Sequence, residues 1–221
     1  ATGALLAIVT GTVPDQAPTW ECGVVQRRKG EVRPVIGSGE ITETVAGVDL
    51  RISADAFFQN NTAGAAALVD LVAGALVPQP GETMLDAYAG GGLFGLTVGK
   101  AAAGVIAVES DPLAVGDLRH NGTAASVEPR VVAAPFASAQ IGGRWDVAVV
   151  DPPRDGLGAA GVEAVTRGRP RAIAYVSCDP ASLARDCRTL AETGYRLQWA
   201  APVDLFPQTF HIETVAAFAA G

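Results

Sequence analysis

The chain has few cysteines: Cys22, Cys178 and Cys187, an odd number with no C-x-x-C spacing among its 221 residues. That pattern supports neither a disulfide framework nor a zinc site, so a reducing compartment and no bound metal are expected. No apolar run approaches the ~18 uninterrupted residues of a membrane helix. The first ten residues lack the basic segment of an export signal and read as a strand, which makes a cytoplasmic protein off the membrane the expectation. An excess of positive charge is also missing. The formal net charge of −7 argues against a broad basic face for gripping a polyanion. Two local basic clusters, Arg27-Arg28-Lys29 with Arg33 and Arg167, Arg169 and Arg171, each read as a solvated loop.

What the chain does have is apolar content, 49%, enough for one sizeable core, or for one domain plus a small appendage. Residues 1–50 read as short strands broken by Gly and Pro, with no helical period. Residues 63–77 have Ala, Leu and Val at helical spacing, and Pro78-Gln79-Pro80-Gly81 ends the run. Strands and helices then alternate: strands at 84–88, 105–108, 130–134, 147–150 and 172–177, helices near 93–102, 112–121, 159–166 and 181–192. This is the rhythm of a parallel, doubly wound α/β sheet. The last segments, 195–203 and 214–218, are two strands with no helix between them, so one of them must run antiparallel.

Chemistry concentrates where these strands end. Cys178 follows an apolar strand and precedes Asp179-Pro180-Ala181, a helix start in which Asp or Ser can cap free N–H groups. A thiol there sits at the carboxyl edge of the sheet, where open α/β folds bind ligands, and a helix N-terminus favours thiolate. A small apolar core role is the alternative for a lone cysteine. The strand at 84–88 runs into Ala89-Gly90-Gly91-Gly92-Leu93-Phe94, and the next strand ends at Glu109, an acid able to accept from both hydroxyls of a ribose. The loop is not G-x-G-x-x-G and offers no pyrophosphate cradle, which favours a sulfonium nucleoside, S-adenosylmethionine, over a dinucleotide.

Asp151-Pro152-Pro153-Arg154 follows the strand at 147–150, its prolines stiffening the loop that holds Asp151 at the same edge. An aromatic residue in place of Arg154 would suit methylation of an exocyclic amine by stacking on a flipped base; Arg154 speaks against that. If the final strand is antiparallel and beside 172–177, Glu213 sits next to Cys178. Thiol and carboxylate then form a nucleophile and general base at one base-sized pocket. A solvated strand end is the alternative for Glu213, and a plain turn residue is the expectation for His211.

Five segments in order, Phe57-Phe58-Gln59-Asn60-Asn61, the stretch from Leu85 to Phe94, the loop from Asp151 to Leu157, the stretch from Val176 to Asp186, and that from Phe206 to Glu213, resemble the signature of the bacterial RNA uracil-C5 methyltransferases. The likeness covers about residues 40–221. It implies a Rossmann-like class I methyltransferase sheet of seven strands, the last antiparallel, over 51–221, preceded by a small β-rich remnant of a central RNA-contacting domain over 1–50. It also implies methyl transfer from S-adenosylmethionine to C5 of a uridine in tRNA or rRNA. On this likeness Cys178 adds to C6 and Glu213 removes the C5 proton. Gln59, Tyr88, Gly90, Glu109 and Asp151 hold the cofactor, and Asp151 also contacts the base.

The chain departs from the family pattern at Leu93, where a polar residue is usual, and at Asp179, where Asn is usual and a negative charge is expected to oppose thiolate formation. The family's amino-terminal oligonucleotide-binding barrel and any iron–sulfur cysteines are not among these residues, so the chain reads as the catalytic portion. Two alternatives are a non-catalytic RNA-binding relative and a methyltransferase acting on an amino group or small molecule.

Overall fold

The structure, a computed structural model, describes residues 5–10, 22–29 and 31–221. The remaining part of the amino-terminal segment lies outside the described residues.

Two small sheets come first. Strands β1 (Leu6–Thr10), β2 (Gly23–Arg28) and β3 (Glu31–Ile36) form one, with β1 parallel to β2 and β3 antiparallel to it. Strands β4 (Glu40–Val45) and β5 (Val48–Ser53) form a hairpin whose two-residue turn, Ala46-Gly47, has φ of 48° and 74°. Positive φ at both turn positions matches the right-handed twist of the flanking strands.

The rest of the chain alternates as its apolar pattern predicts. Helix α1 (Thr62–Leu76) precedes β6 (Thr83–Ala87), α2 (Leu93–Thr97), β7 (Gly104–Glu109), α3 (Pro112–Ala124), β8 (Arg130–Ala133), β9 (Val147–Val150), α4 (Gly158–Thr166), β10 (Ala172–Ser177), α5 (Pro180–Glu192), β11 (Tyr195–Val203) and β12 (Glu213–Ala220). The sheet order is β11-β12-β10-β9-β6-β7-β8, with only β12 antiparallel to its neighbours, the arrangement of class I methyltransferases.

Period-two alternation divides the core. Met84, Val149, Val176 and Val215 point to the face covered by α1 and α2, against Leu68, Val72 and Leu96. Leu85, Val150, Tyr175 and Phe218 point to the other face, against Val162, Leu183 and Leu190 of α4 and α5. One expected helix is shorter than its sequence suggests. After Thr97 the chain tightens into a 3₁₀ turn over Val98–Ala101. A Cβ on Gly99 would stand 2.6 Å from Val105, so the backbone presses onto the sheet there.

Neither basic cluster is simply solvated. Arg27 pairs with Asp55, and Arg171 donates to Glu82 (2.6 Å) and to the carbonyls of Leu76 and Val77 (3.0 Å each). Arg171 thus caps the carboxyl end of α1.

Helix α3 fastens the hairpin to the sheet. Buried Asp117 accepts from Arg51 Nε (2.8 Å), Ser53 N (2.7 Å) and Ser53 Oγ (2.8 Å). One turn later Asn121 accepts from Arg51 N (2.8 Å) and donates to the carbonyls of Arg51 and Gly91 (3.0 Å each). Asp117→Ala leaves three donors without their shared acceptor, and a loss of about 3 kcal/mol in denaturant unfolding is expected. A loss below about 1 kcal/mol would show that the hairpin does not depend on this carboxylate.

Candidate active site

Strand register brings the sequence-selected residues to one edge and one face. In the antiparallel β10–β12 pair Ser177 lies opposite Thr214, so one step further along the same register Cys178 faces Glu213. Directly opposed residues project to the same side of a sheet. Cys178 is two residues beyond Val176 and Glu213 two before Val215, which places both on the α1 side by alternation. Asp151 stands in the same relation to Val149, and Asp86 to Met84. The turn carrying the thiol is closed by Ser177, whose hydroxyl donates to Asp179 O (3.0 Å) and accepts from Asp179 N (3.2 Å).

The electrostatics agree with this crowding. The Asp151 carboxyl is pushed well above the usual carboxylate range, first by burial and then by the charges of Glu213 and Asp86, against a hydrogen bond from Gln59 that favours the ionised form. Burial raises Glu213, which is 5% exposed. Burial also carries Asp86 up to about 7, although its Oδ2 accepts from Gly95 N at 2.7 Å. The half-buried Cys178 thiol is raised by burial, then by Glu213, while Arg154 pulls it down. This corrects two expectations. The helix start does not leave the thiol with a depressed pKa, because burial and the facing carboxylate outweigh it. Asp179 is not the group that opposes thiolate formation. Its carboxylate turns away to cap α5, accepting from Ser182 N at 2.7 Å, and that backbone N–H holds it below the usual range.

The glycine turn beside these groups is built for close approach. Tyr88, Gly90 and Gly92 all have positive φ (63°, 55° and 100°). A Cβ on Gly92 would meet Leu96 and Leu118 at 2.6 and 2.8 Å, whereas open space lies beside Gly90. Gly90 N donates to Glu109 Oε2 (2.8 Å), and Ser110 N and Asp111 N donate to Oε1 (2.6 and 2.8 Å). Three backbone donors leave the Glu109 carboxylate fixed, with acceptor capacity to spare. Tyr88 packs on Phe136, ring centroids 5.4 Å apart. Leu93 is buried at the start of α2 and its side chain offers no polar contact. Two buried acceptors, Gln59 Oε1 and Asp86 Oδ1, have no hydrogen-bond partner among the described residues. Buried oxygens of that kind cost free energy unless a ligand meets them. With the open glycine turn and the ribose-type acid Glu109, they fit a nucleoside carrying an amino or hydroxyl donor. Among the described residues no cluster of His, Cys, Asp and Glu could hold a metal ion.

Sequence reasoning assigned no role to two residues here. Asp86 lies inside a quoted motif, and its position two before the strand end was the available signal. Fully buried Asp186, on α5, accepts from Leu157 N (2.6 Å), Gly158 N (3.2 Å) and Tyr175 OH (2.8 Å). It ties the loop bearing Asp151 and Arg154 to the helix and strand that flank Cys178.

Comparison with known proteins gives these features a context. Residues 144–219 match the family model described as tRNA (Uracil-5-)-methyltransferase. A Streptococcus mutans protein named an uncharacterised RNA methyltransferase is 38% identical over 192 residues, covering 84% of this chain and 43% of its own length. A Thermotoga maritima protein of the same name is 37% identical, with 87% and 45% covered. The chain therefore spans less than half the length of these relatives. Among solved structures, the Pyrococcus abyssi tRNA (uracil-54, C5)-methyltransferase in complex with S-adenosyl-L-homocysteine superposes with a TM-score of 0.85 at 30% identity, covering 99% of this chain and 57% of that one. The matched segment includes the Asp151 loop, Cys178 and Glu213, and the chain carries the methyltransferase domain of the tRNA (uracil-5-)-methyltransferase family.

Proposed function

We propose that the chain methylates C5 of a uridine in RNA, tRNA in the first instance, using S-adenosylmethionine, through a covalent bond between Cys178 and C6 of the base. The observation that carries this reading is the register that sets the Cys178 thiol opposite the Glu213 carboxylate on the face where Asp151 and Asp86 also lie. A uracil C5 is a poor nucleophile until a group adds across the 5,6-double bond, and a thiol at one end with a base at the other is what that chemistry requires.

Gln59, Asp86, Gly90 and Glu109 would hold the cofactor, with Tyr88 packed beside the same turn. When bound, S-adenosylmethionine supplies an electrophilic methyl group. The remaining work belongs to the chain. Cys178 gives up its thiol proton to solvent, Sγ bonds to C6, and C5 becomes enolate-like. Once C5 carries the methyl group, Glu213 removes the C5 proton, the double bond reforms and the thiolate leaves. Burial raises the proton affinity of Glu213, which suits a base. Asp151 would keep the base oriented, and its raised pKa equips it to donate a hydrogen bond to a uracil carbonyl.

RNA containing 5-fluorouridine tests the reading, because fluorine at C5 cannot leave as a cation and the adduct persists. Wild-type protein with cofactor is expected to form a denaturant-resistant complex whose cross-linked peptide contains Cys178. A cross-link at another residue, or turnover of small amines with none on RNA, would discard the proposal.

A further inference from the structure

Beside the catalytic groups the segment between β11 and β12 meets Arg154, of the loop after β9, in an arrangement to which the proposed bond-making steps assign no role. Arg154 Nη2 lies 3.5 Å from Nδ1 and 3.4 Å from Nε2 of His211. A nitrogen approaching both ring nitrogens equally in the plane of the imidazole would collide with Cε1 between them. The guanidinium therefore lies over the ring face, as cations do on aromatic rings. Phe210 packs against the same imidazole, centroids 4.2 Å apart at 40°, and Phe206 braces it edge-on at 6.1 Å and 74°. Cation, imidazole and phenyl thus form a short row. Its outer member is open: Phe210 is 89% exposed, more than any other large apolar residue described.

Phe210 offers an open aromatic face close to a cation. Its place narrows the occupant. Arg154 is three residues from Asp151 and acts on the Cys178 thiol, and His211 is two residues from Glu213, so the row stands beside the groups that the target base would meet. A ligand lying there needs a flat apolar face for the phenyl ring and negative charge for the guanidinium. A nucleotide has both, and base–aromatic stacking with an adjacent cation is how single strands are held without sequence readout.

We infer that the Arg154–His211–Phe210 row is a stacking subsite for one nucleobase next to the target uridine in single-stranded RNA. The inference rests on the proposed action on RNA and adds a second nucleotide to it. Phe210 supplies the stacking surface, His211 supports it, and Arg154 faces the phosphate between the two nucleotides.

The test is a cycle between one protein change and one RNA change. Wild-type protein and Phe210→Ala are titrated with an eight-nucleotide single-stranded RNA with one central uridine, and with versions abasic at the position just 5′ or just 3′ of it. Losing either partner of a stack is expected to weaken binding at least about fivefold, and losing both no more than losing one. Phe210→Tyr is expected to restore binding, and cofactor affinity of Phe210→Ala to remain unchanged. Equal binding by wild type and Phe210→Ala, or losses that simply multiply with the abasic change at each position, would overturn the subsite while leaving uridine methylation standing. A fall in thermal stability of Phe210→Ala without any change in RNA binding would assign the ring to protein packing instead. If wild type shows no trapping on 5-fluorouridine RNA, the methylation reading itself is what fails.

Discussion

Cys178→Ala will reduce methyl transfer to RNA to background, a loss of at least about 10⁴-fold, given that deleting the nucleophile of a covalent hydrolase costs on the order of 10⁶. Cofactor affinity will stay within twofold of wild type, because the residues proposed above to hold the nucleoside, Gln59, Asp86, Gly90 and Glu109, lie before α1, on β6, in the turn after it and on β7. The 5-fluorouridine adduct will vanish. The substitution removes one half-buried sulfur at the end of β10, and Ala is an ordinary neighbour for Ser177 and Asp179, so the fold is expected to survive. Methyl incorporation assays with equilibrium cofactor binding on the same preparation separate the outcomes. Retained methylation above about a hundredth of wild type would remove the thiol from the covalent role.

Glu213→Gln will slow turnover by about 10²- to 10⁴-fold, the range that general base catalysis contributes, while still adding the thiol and transferring the methyl group. The enzyme should therefore accumulate on ordinary uridine RNA as a covalent, already methylated species, visible by mass spectrometry without any fluorinated base. The same change has a pH signature in the free protein. Burial is the largest influence raising the Cys178 thiol and the Glu213 charge the next, so a neutral amide at 213 lowers that pKa. Alkylation of Cys178 by iodoacetamide should then begin at lower pH in Glu213→Gln than in wild type. An unchanged or higher alkylation midpoint would mean that the carboxylate does not face the sulfur, and normal turnover would remove Glu213 from the base role.

How much of this was legible beforehand depended on the range of the interaction. Strands such as Val147–Val150 and Ala172–Ser177 are short β-branched or apolar runs ended by Asp-Pro or Cys-Asp-Pro, and local punctuation is enough to locate them. The antiparallel final strand followed from a missing helix, and with it the meeting of Cys178 and Glu213. Local charge reasoning failed at Asp179, where adjacency in sequence suggested repulsion but the cap geometry aims the carboxylate at Ser182 N. It failed again at Arg171, whose partners Leu76, Val77 and Glu82 are close to ninety residues away. Asp186 was invisible for the same reason, since three of its donors, on Leu157, Gly158 and Tyr175, are brought to it only by tertiary packing. The break after Thr97 depended on how closely Gly99 approaches Val105, a distance no periodicity encodes.

The gathering of Asp86, Asp151 and Glu213 on one face at the sheet edge has a consequence for the catalytic cycle. The charges of Glu213 and Asp86 add to burial in holding the Asp151 carboxyl above its usual range, so a positively charged visitor is favoured beside them over a neutral one. On the proposed reading the incoming sulfonium is such a visitor and the spent thioether is not. The acids thus bias the pocket toward fresh donor over used product, so that each turnover ends with its own eviction notice.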